Sequence, residues 1–289
     1  MNQGGLNMIE RLQKSKGYSL VEVLVALALA GVVSAALYTA FVSQNRSYVK
    51  EDQVVDMQQN LRAGMDLMVR EIRMAGYDPS RTNNFGLVDM QLRDINDNPS
   101  LAGNGTIRYK ADFDGDGVIG GPNEDVTYSL YDSPVTSPAG ALELGRNTGG
   151  GRQTVFSYVE ALRFAFAFDN NGDDIVDTTT AGGNIIWAVD TDNDNILDLA
   201  IDANDDGRID LNDNPAGTPL TAMADVGANV PLNRVKAVQI WLLVRSSRPE
   251  QGFNDTRTYV LANQRYTPPA NVSSFPRRIL SESFKIRNL

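Results

Sequence analysis

The feature that most restricts this chain is an apolar run near its start, YSLVEVLVALALAGVVSAALYTAFV from Tyr18 to Val42, broken by a single charge at Glu22. Roughly 25 such residues, wound as a helix, are enough to cross the hydrocarbon core of a bilayer. Residues 1–17 ahead of it are polar and carry Arg11, Lys14 and Lys16 against Glu10, a positive flank of the kind that stays in the cytoplasm. Three readings stand side by side. A signal peptide would be cut after Ala28-Leu29-Ala30, so that a soluble chain starts at Gly31. A plain membrane anchor keeps the run but leaves unexplained a carboxylate buried in it, at a cost on the order of a few kcal/mol. In the third, the segment from Lys16 to Glu22 is itself a processing signal and Glu22 has a task.

The rest of the composition removes whole classes of chemistry. The 289 residues include neither cysteine nor histidine, which excludes disulfides, thiolate metal sites, imidazole ligands and every triad that needs a histidine base. With 42% hydrophobic residues the chain can build a sizeable core. Its charge is uneven: from Asp89 to Asp213 there are 24 acidic against 7 basic residues. Such a middle repels phosphate backbones, so no nucleic-acid partner is expected, and it attracts hard cations. The basic tail with Arg277, Arg278, Lys285 and Arg287 is read as a solvated surface, with an anionic partner as the alternative.

Helical periodicity continues past the apolar run. Val54, Met57, Leu61, Met65, Met68, Ile72 and Ala75 recur at steps of three and four, one stripe that must bury against a folded domain. Gly76 is placed as a C-terminal cap and Pro79 forbids continuation. A helix from Tyr18 to Ala75 is expected, about 85 Å long at 1.5 Å per residue. Small residues Ala26, Ala30, Gly31, Ser34 and Ala35 are spaced to let helices approach, or serve helix propensity alone. Beyond Pro79 the period becomes two, at Ile107/Tyr109, Val126/Tyr128/Leu130, Leu162 to Phe168, Val238 to Val244 and Leu280 to Ile286. These predict half-buried antiparallel strands, joined by loops that include Ser133–Gly140 and Asn147–Gly151.

One loop pattern occurs four times. Alternate acidic or amide residues followed by a turn residue and an aliphatic appear at 112–123 (Asp112, Asp114, Asp116), 169–177 (Asp169, Asn171, Asp173), 190–198 (Asp190, Asp192, Asp194, Asp198) and 202–213. The last is the fullest, with Asp202, Asn204 and Asp206 at positions 1, 3 and 5, then Gly207, Arg208 at position 7, Asp210 at 9 and Asp213 at 12. Those positions aim oxygen ligands at one centre while a glycine at 6 takes the sharp turn, so Ca2+ is the expected cofactor in an EF-hand-like loop without flanking helices. Asp, Asn and Gly are also ordinary turn residues, and that explains a single match as well.

The segment Lys16-Gly17-Tyr18-Ser19-Leu20-Val21-Glu22 resembles the type IV prepilin signature, with tyrosine where the family usually has phenylalanine. The resemblance implies that prepilin peptidase cuts after Gly17, that Tyr18 becomes the N-methylated first residue, and that Glu22 meets the new amine of a neighbouring subunit. Gln58-Gln59-Asn60-Leu61-Arg62, Arg70 to Pro79, Arg234 to Arg245, Tyr266-Thr267-Pro268 and the closing Arg277 to Leu289 resemble PilW-type minor pilins. The fold expected on these grounds is α+β and type IV pilin-like: leader 1–17, transmembrane and filament-core helix 18–42, amphipathic continuation 43–78, and a β-rich domain 79–289 with acidic inserted loops. The expected role is a non-enzymatic minor pilin that initiates or caps a pilus. Its partners would be prepilin peptidase, other major and minor pilins and the bacterial inner membrane, before export to the pilus, cell surface or periplasm. A minor pseudopilin of a type II secretion system and a secreted calcium-dependent adhesin or hydrolase are the rivals.

Overall fold

The computed structural model describes residues 17–91, 105–132, 141–214, 230–262 and 264–289. Residues 1–16 of the expected leader and the loop expected at Ser133–Gly140 lie outside them. The chain divides into two compact units, Met1–Asp52 and Gln53–Leu289. Helix α1 runs from Leu20 to Ile72. It starts where Ser19 Oγ accepts the N–H of Glu22 at 3.2 Å, with Glu22 in the first turn, where the positive end of the helix dipole favours a carboxylate. Within the first unit its apolar side chains face outward, Val32 and Phe41 being 68% and 67% exposed. This stretch is long and apolar enough to cross a membrane.

The helical residues of the second unit bury Met57, Leu61, Met65, Met68, Ile72 and Ala75, as the stripe predicts; Val54 is only half-buried, and Gly64 and Val69 join the buried face. A Cβ on Gly64 would lie 2.0 Å from the Phe156 ring, so a residue without one is what lets helix and sheet approach. The regular helix ends three residues earlier than expected. The N–H groups of Met74 and Ala75 bond back three residues, to Glu71 and Ile72, a tightening common in last turns. Gly76, at φ 77°, then diverts its N–H to the carbonyl of Lys110.

Strands β1 (Gly86–Gln91), β2 (Thr106–Lys110), β3 (Asp125–Tyr131), β4 (Leu142–Asn147) and β5 (Arg152–Phe168) form a meander. After short pieces β6 (Ala188–Val189), β7 (Ile196–Leu197), β8 (Leu199–Ala200) and β9 (Val230–Pro231) come β10 (Val235–Arg245), the hairpin β11 (Tyr259–Leu261) and β12 (Gln264–Tyr266), and β13 (Arg277–Lys285). The main sheet has the order β1-β2-β3-β4-β5-β10-β13, with β6 and β8 extending it beside β5, and its pairings are antiparallel. All five predicted strands are present, while β1 and β4 carried too little alternation to be seen. One polar clamp ties helix to sheet: the carboxylate of Glu71 accepts from Tyr128 at 2.6 Å and Arg146 at 2.8 Å.

Two expectations fail at the sheet's other side. Residues 160–168 of β5 are buried on both faces rather than half-buried. Leu162, Phe164, Phe166 and Phe168 pack with the helix stripe, whereas Ala161 and Ala165 join Trp241 and Leu243 beneath Val189, Leu199 and Ile201 of the acidic middle and Tyr259 and Leu261 of the β11–β12 hairpin. The acidic middle therefore supplies a covering layer as well as loops. Nor is the whole basic tail solvated. Arg278, Lys285 and Arg287 are exposed, but Arg277 is 1% exposed, pairs through two nitrogens with Glu160 and donates to the carbonyls of Val272 and Phe275. Burying a guanidinium requires this, because a charge taken from water must be paired and bonded. Strand β5 bulges at Val155 and Tyr158 against β4 and at Glu160 against β10, and the last two shift the strand's phase where Glu160 departs from it.

Candidate functional site

The four acidic loops share one backbone frame, each opening at or just beyond the end of a strand. The opening carboxylate accepts the N–H of position 6 in every loop: Asp112 from Gly117 at 3.1 Å, Asp169 from Asp174 at 2.8 Å, Asp190 from Asn195 at 2.7 Å and Asp202 from Gly207 at 2.9 Å. The position-5 carboxylates of Asp116, Asp173, Asp194 and Asp206 accept the N–H of position 7, from Val118, Ile175, Ile196 and Arg208. Positions 4 and 6 have positive φ throughout, from Gly115 at 80° and Gly117 at 74° to Asp205 at 56° and Gly207 at 77°. That double left-handed turn is why Gly, Asn and Asp fill these positions.

An acidic residue closes each loop by accepting the N–H of position 2. Asp177 takes that of Asn170, Asp198 that of Thr191 and Asp213 that of Ala203. In the first loop the closing residue is Glu124, which accepts from Phe113, Asp114, Gly120 and Gly121. Sequence reasoning missed it, since it stands one residue beyond the twelve-residue register; its signal was an acid directly after the expected boundary. Asp210, expected as a ligand at position 9, accepts the N–H of Asn212 at 2.7 Å and so caps the turn leading to Asp213.

The loops differ in charge density. Carboxylate oxygens of Asp112, Asp114 and Asp116 lie within 4.8 Å of one another, as do those of Asp190, Asp192 and Asp194. In the loops opened by Asp169 and Asp202, position 3 is an amide, and Asn171 and Asn204 donate to Asp173 and Asp206 at 3.1 and 3.2 Å. The fullest motif in sequence is thus not the densest cluster in space.

Electrostatics follow burial and the number of N–H groups aimed at each acid. Burial pushes Asp190 up to about 6, helped by Asp194 and Asp192 and opposed by the N–H groups of Asn195 and Asn193. Burial also raises Asp213. Asp114 is raised too: the N–H of Asp116 lowers it, but desolvation and the charges of Asp116, Glu124 and Asp112 prevail. Glu124 is held below the usual range by the N–H of Gly120 first, and by three more against desolvation. For Asp169 desolvation is the largest influence, yet the N–H groups of Gly172, Asp174 and Asp173 outweigh it and the carboxyl is lowered. Chemically, these are oxygen-rich cages without a nitrogen or sulfur donor, the set that suits a hard cation.

The processing residues lie at the other unit's exposed start. Tyr18 is 81% exposed, and a Cβ on Gly17 would meet nothing within 4 Å, so no packing reason accounts for glycine there.

Comparison with known proteins bears on both places. A family model described as Type IV Pilus-assembly protein W matches residues 127–288. The prokaryotic N-terminal methylation motif matches residues 12–38, and prepilin peptidase-dependent protein B matches residues 50–164. No curated protein matches. Among solved structures the chain is similar to the type IV-like pilin TTHA1219 from Thermus thermophilus, at 14% identity over 80% of this chain and 97% of that one, with a TM-score of 0.38.

Proposed function

The chain belongs to the PilW family of type IV minor pilins, and from that premise we propose that it helps initiate or cap a type IV pilus while its acidic loops hold calcium. The observation that carries the assembly reading is the helix from Leu20 to Asp52, whose large apolar side chains are outward-facing around one early carboxylate, Glu22. Such a surface is stable in lipid or against other apolar helices, not in water. Cleavage after Gly17 leaves a positive amine on Tyr18, and the carboxylate of Glu22 on a neighbouring subunit offsets it where both are costly to bury. Gly17, required by no packing in the fold, is accounted for by the peptidase that reads it.

Calcium is the cation the loops suit. Three carboxylates within 4.8 Å repel one another, and a hard divalent ion with flexible oxygen coordination relieves that repulsion. The residues that would hold it are the acids and amides at positions 1, 3 and 5, the carbonyl of position 7 and the closing acid. Its contribution would be to lock each loop against the strand it follows.

Intact mass and terminal sequencing of the protein from its native membrane, together with copurification, test this assignment. A methylated Tyr18 start in a subunit that copurifies with pili is the expected result. The same start in a secretion pseudopilus would transfer the role to that filament, and a start at Gly31 would make this an exported soluble protein and end the assembly reading.

A further inference from the structure

The acidic middle contains a cavity of about 410 Å3 that the loop chemistry does not explain, bounded by the hairpin at 177–187 and the opening of the Asp202 loop. Trp187 and Ile185 supply apolar lining, and the acids of the lining are Asp205 and also Asp177 and Asp202, whose carboxylates accept N–H groups of their own loops. Trp187 is half-buried and Ile185 is 40% exposed, so the cavity opens to solvent. Asp205 is fixed by Thr179 Oγ1 at 2.7 Å and Asn184 Nδ2 at 2.9 Å, while the hydroxyl-bearing Thr178 and Thr180, also in the lining, are exposed. Among the described residues, no basic side chain lines it. No sequence pattern pointed to this site, because its aromatic member stands alone between two acidic motifs.

The lining restricts what can enter. An anion meets Asp205 with Asp177 and Asp202 close by and no basic side chain to offset their carboxylates, while a cation finds the last two already engaged by N–H groups of their own loops. A wholly apolar ligand would strip water from those carboxylates without replacing its hydrogen bonds. What fits is a molecule of modest size with an apolar face for the indole and hydroxyl donors around its edge, and the volume lies within the ordinary range for small-ligand sites. We propose that this cavity binds an uncharged sugar, with Trp187 under the ring and the carboxylates and threonine hydroxyls at its rim. The site concerns the second unit alone and is independent of filament type.

Saturation-transfer NMR on the full chain, in a detergent without a sugar headgroup, tests it with methyl glycosides of glucose, galactose, mannose and N-acetylglucosamine, and with glucuronate and ethylammonium as charged controls. At least one glycoside binds saturably in the millimolar range, and both controls bind at least about tenfold more weakly. Trp187→Leu and the exposed, fold-neutral Thr180→Val each weaken the glycoside about tenfold or more. Absence of saturable glycoside binding up to about 50 mM, tighter binding of ethylammonium or glucuronate, or unchanged affinity in Thr180→Val together with folded Trp187→Leu would overturn the proposal.

Discussion

The two faces of strand β5 are built on different principles. Toward the helix, Leu162, Phe164, Phe166 and Phe168 pack against methionine, leucine and isoleucine, a stabilisation that is non-directional and involves no titrating group. On the other side, alanines leave room for a covering layer in which Arg277 and Arg245 face Glu160, at 3.7 Å in the second pair, and Asp255 lies 3.5 Å from Arg277. Arg245 also lies 4.3 Å from the centre of the Phe275 ring. That side depends on specific partners, and the acidic loops that help roof it depend on charge. One face gives bulk stability, the other a register set by specific charged partners.

The comparison can be broken from its largest effect downward. Phe166, 3% exposed, replaced by alanine should lower unfolding free energy by about 3–5 kcal/mol; urea denaturation should give the same loss with calcium or chelator, and a loss that depends on calcium would merge the two faces. Arg277→Met leaves Glu160 buried beside a more distant Arg245, and about 3 kcal/mol should be lost. Glu160→Met should cost more in the same urea titration, since it takes the shared carboxylate from two buried guanidiniums, Arg277 and Arg245, at once. Calcium at a hundredfold excess over its dissociation constant should stabilise by about 2.7 kcal/mol per site, visible as a chelator-sensitive melting temperature. An unmoved melting temperature, with no heat on calorimetric titration, would remove calcium from the account.

The smallest effect concerns pH in chelator. Asp190 has its folded pKa raised to about 6, above an unfolded value of about 3.9. The folded state binds the proton more tightly, so the ionised group is a penalty fully present above pH 6 and relieved as pH falls from about 6 toward 4. Stability of wild type relative to Asp190→Asn should therefore rise between pH 7 and pH 5, measured as the difference in urea midpoint. The lowered groups Glu124 and Asp169 act in the opposite sense, losing their contribution only as pH falls below the ordinary carboxylate range. A difference that stays flat from 7 to 5 would show the Asp190 site to be more open to water than its burial implies.

Much of the helix-side architecture was legible because periodicity reports directly on which side chains share a face. The stripe from Met57 to Ala75 and the alternation from Leu162 to Phe168 each name their own partners by being apolar in phase. The loop frame was legible too, since positions 4 and 6 need left-handed residues and the sequence supplies them. The covering of the outer face was not. Alternation shows that Ala161 and Ala165 point away from the helix, but not that Leu199 and Ile201 lie over them. The pairing of Glu160 with Arg277 joins residues 117 apart through a bulge that changes strand phase, and no local pattern announces it. Glu124 escaped for a narrower reason: a hairpin between β2 and β3 sets the loop's length, and that length differs by one from the register assumed.

The contact between Gly64 and Phe156 also constrains inheritance. A glycine within a helix is a poor choice locally, by about 1 kcal/mol against alanine, and here it is held in place by an aromatic ring 92 positions away in the chain. Neither position is free to vary by itself: alanine at 64 first needs a smaller side chain at 156, and the smaller side chain alone leaves a void. The two sites should thus drift as a couple among relatives, a paired signature that an alignment would register long before either residue looked invariant.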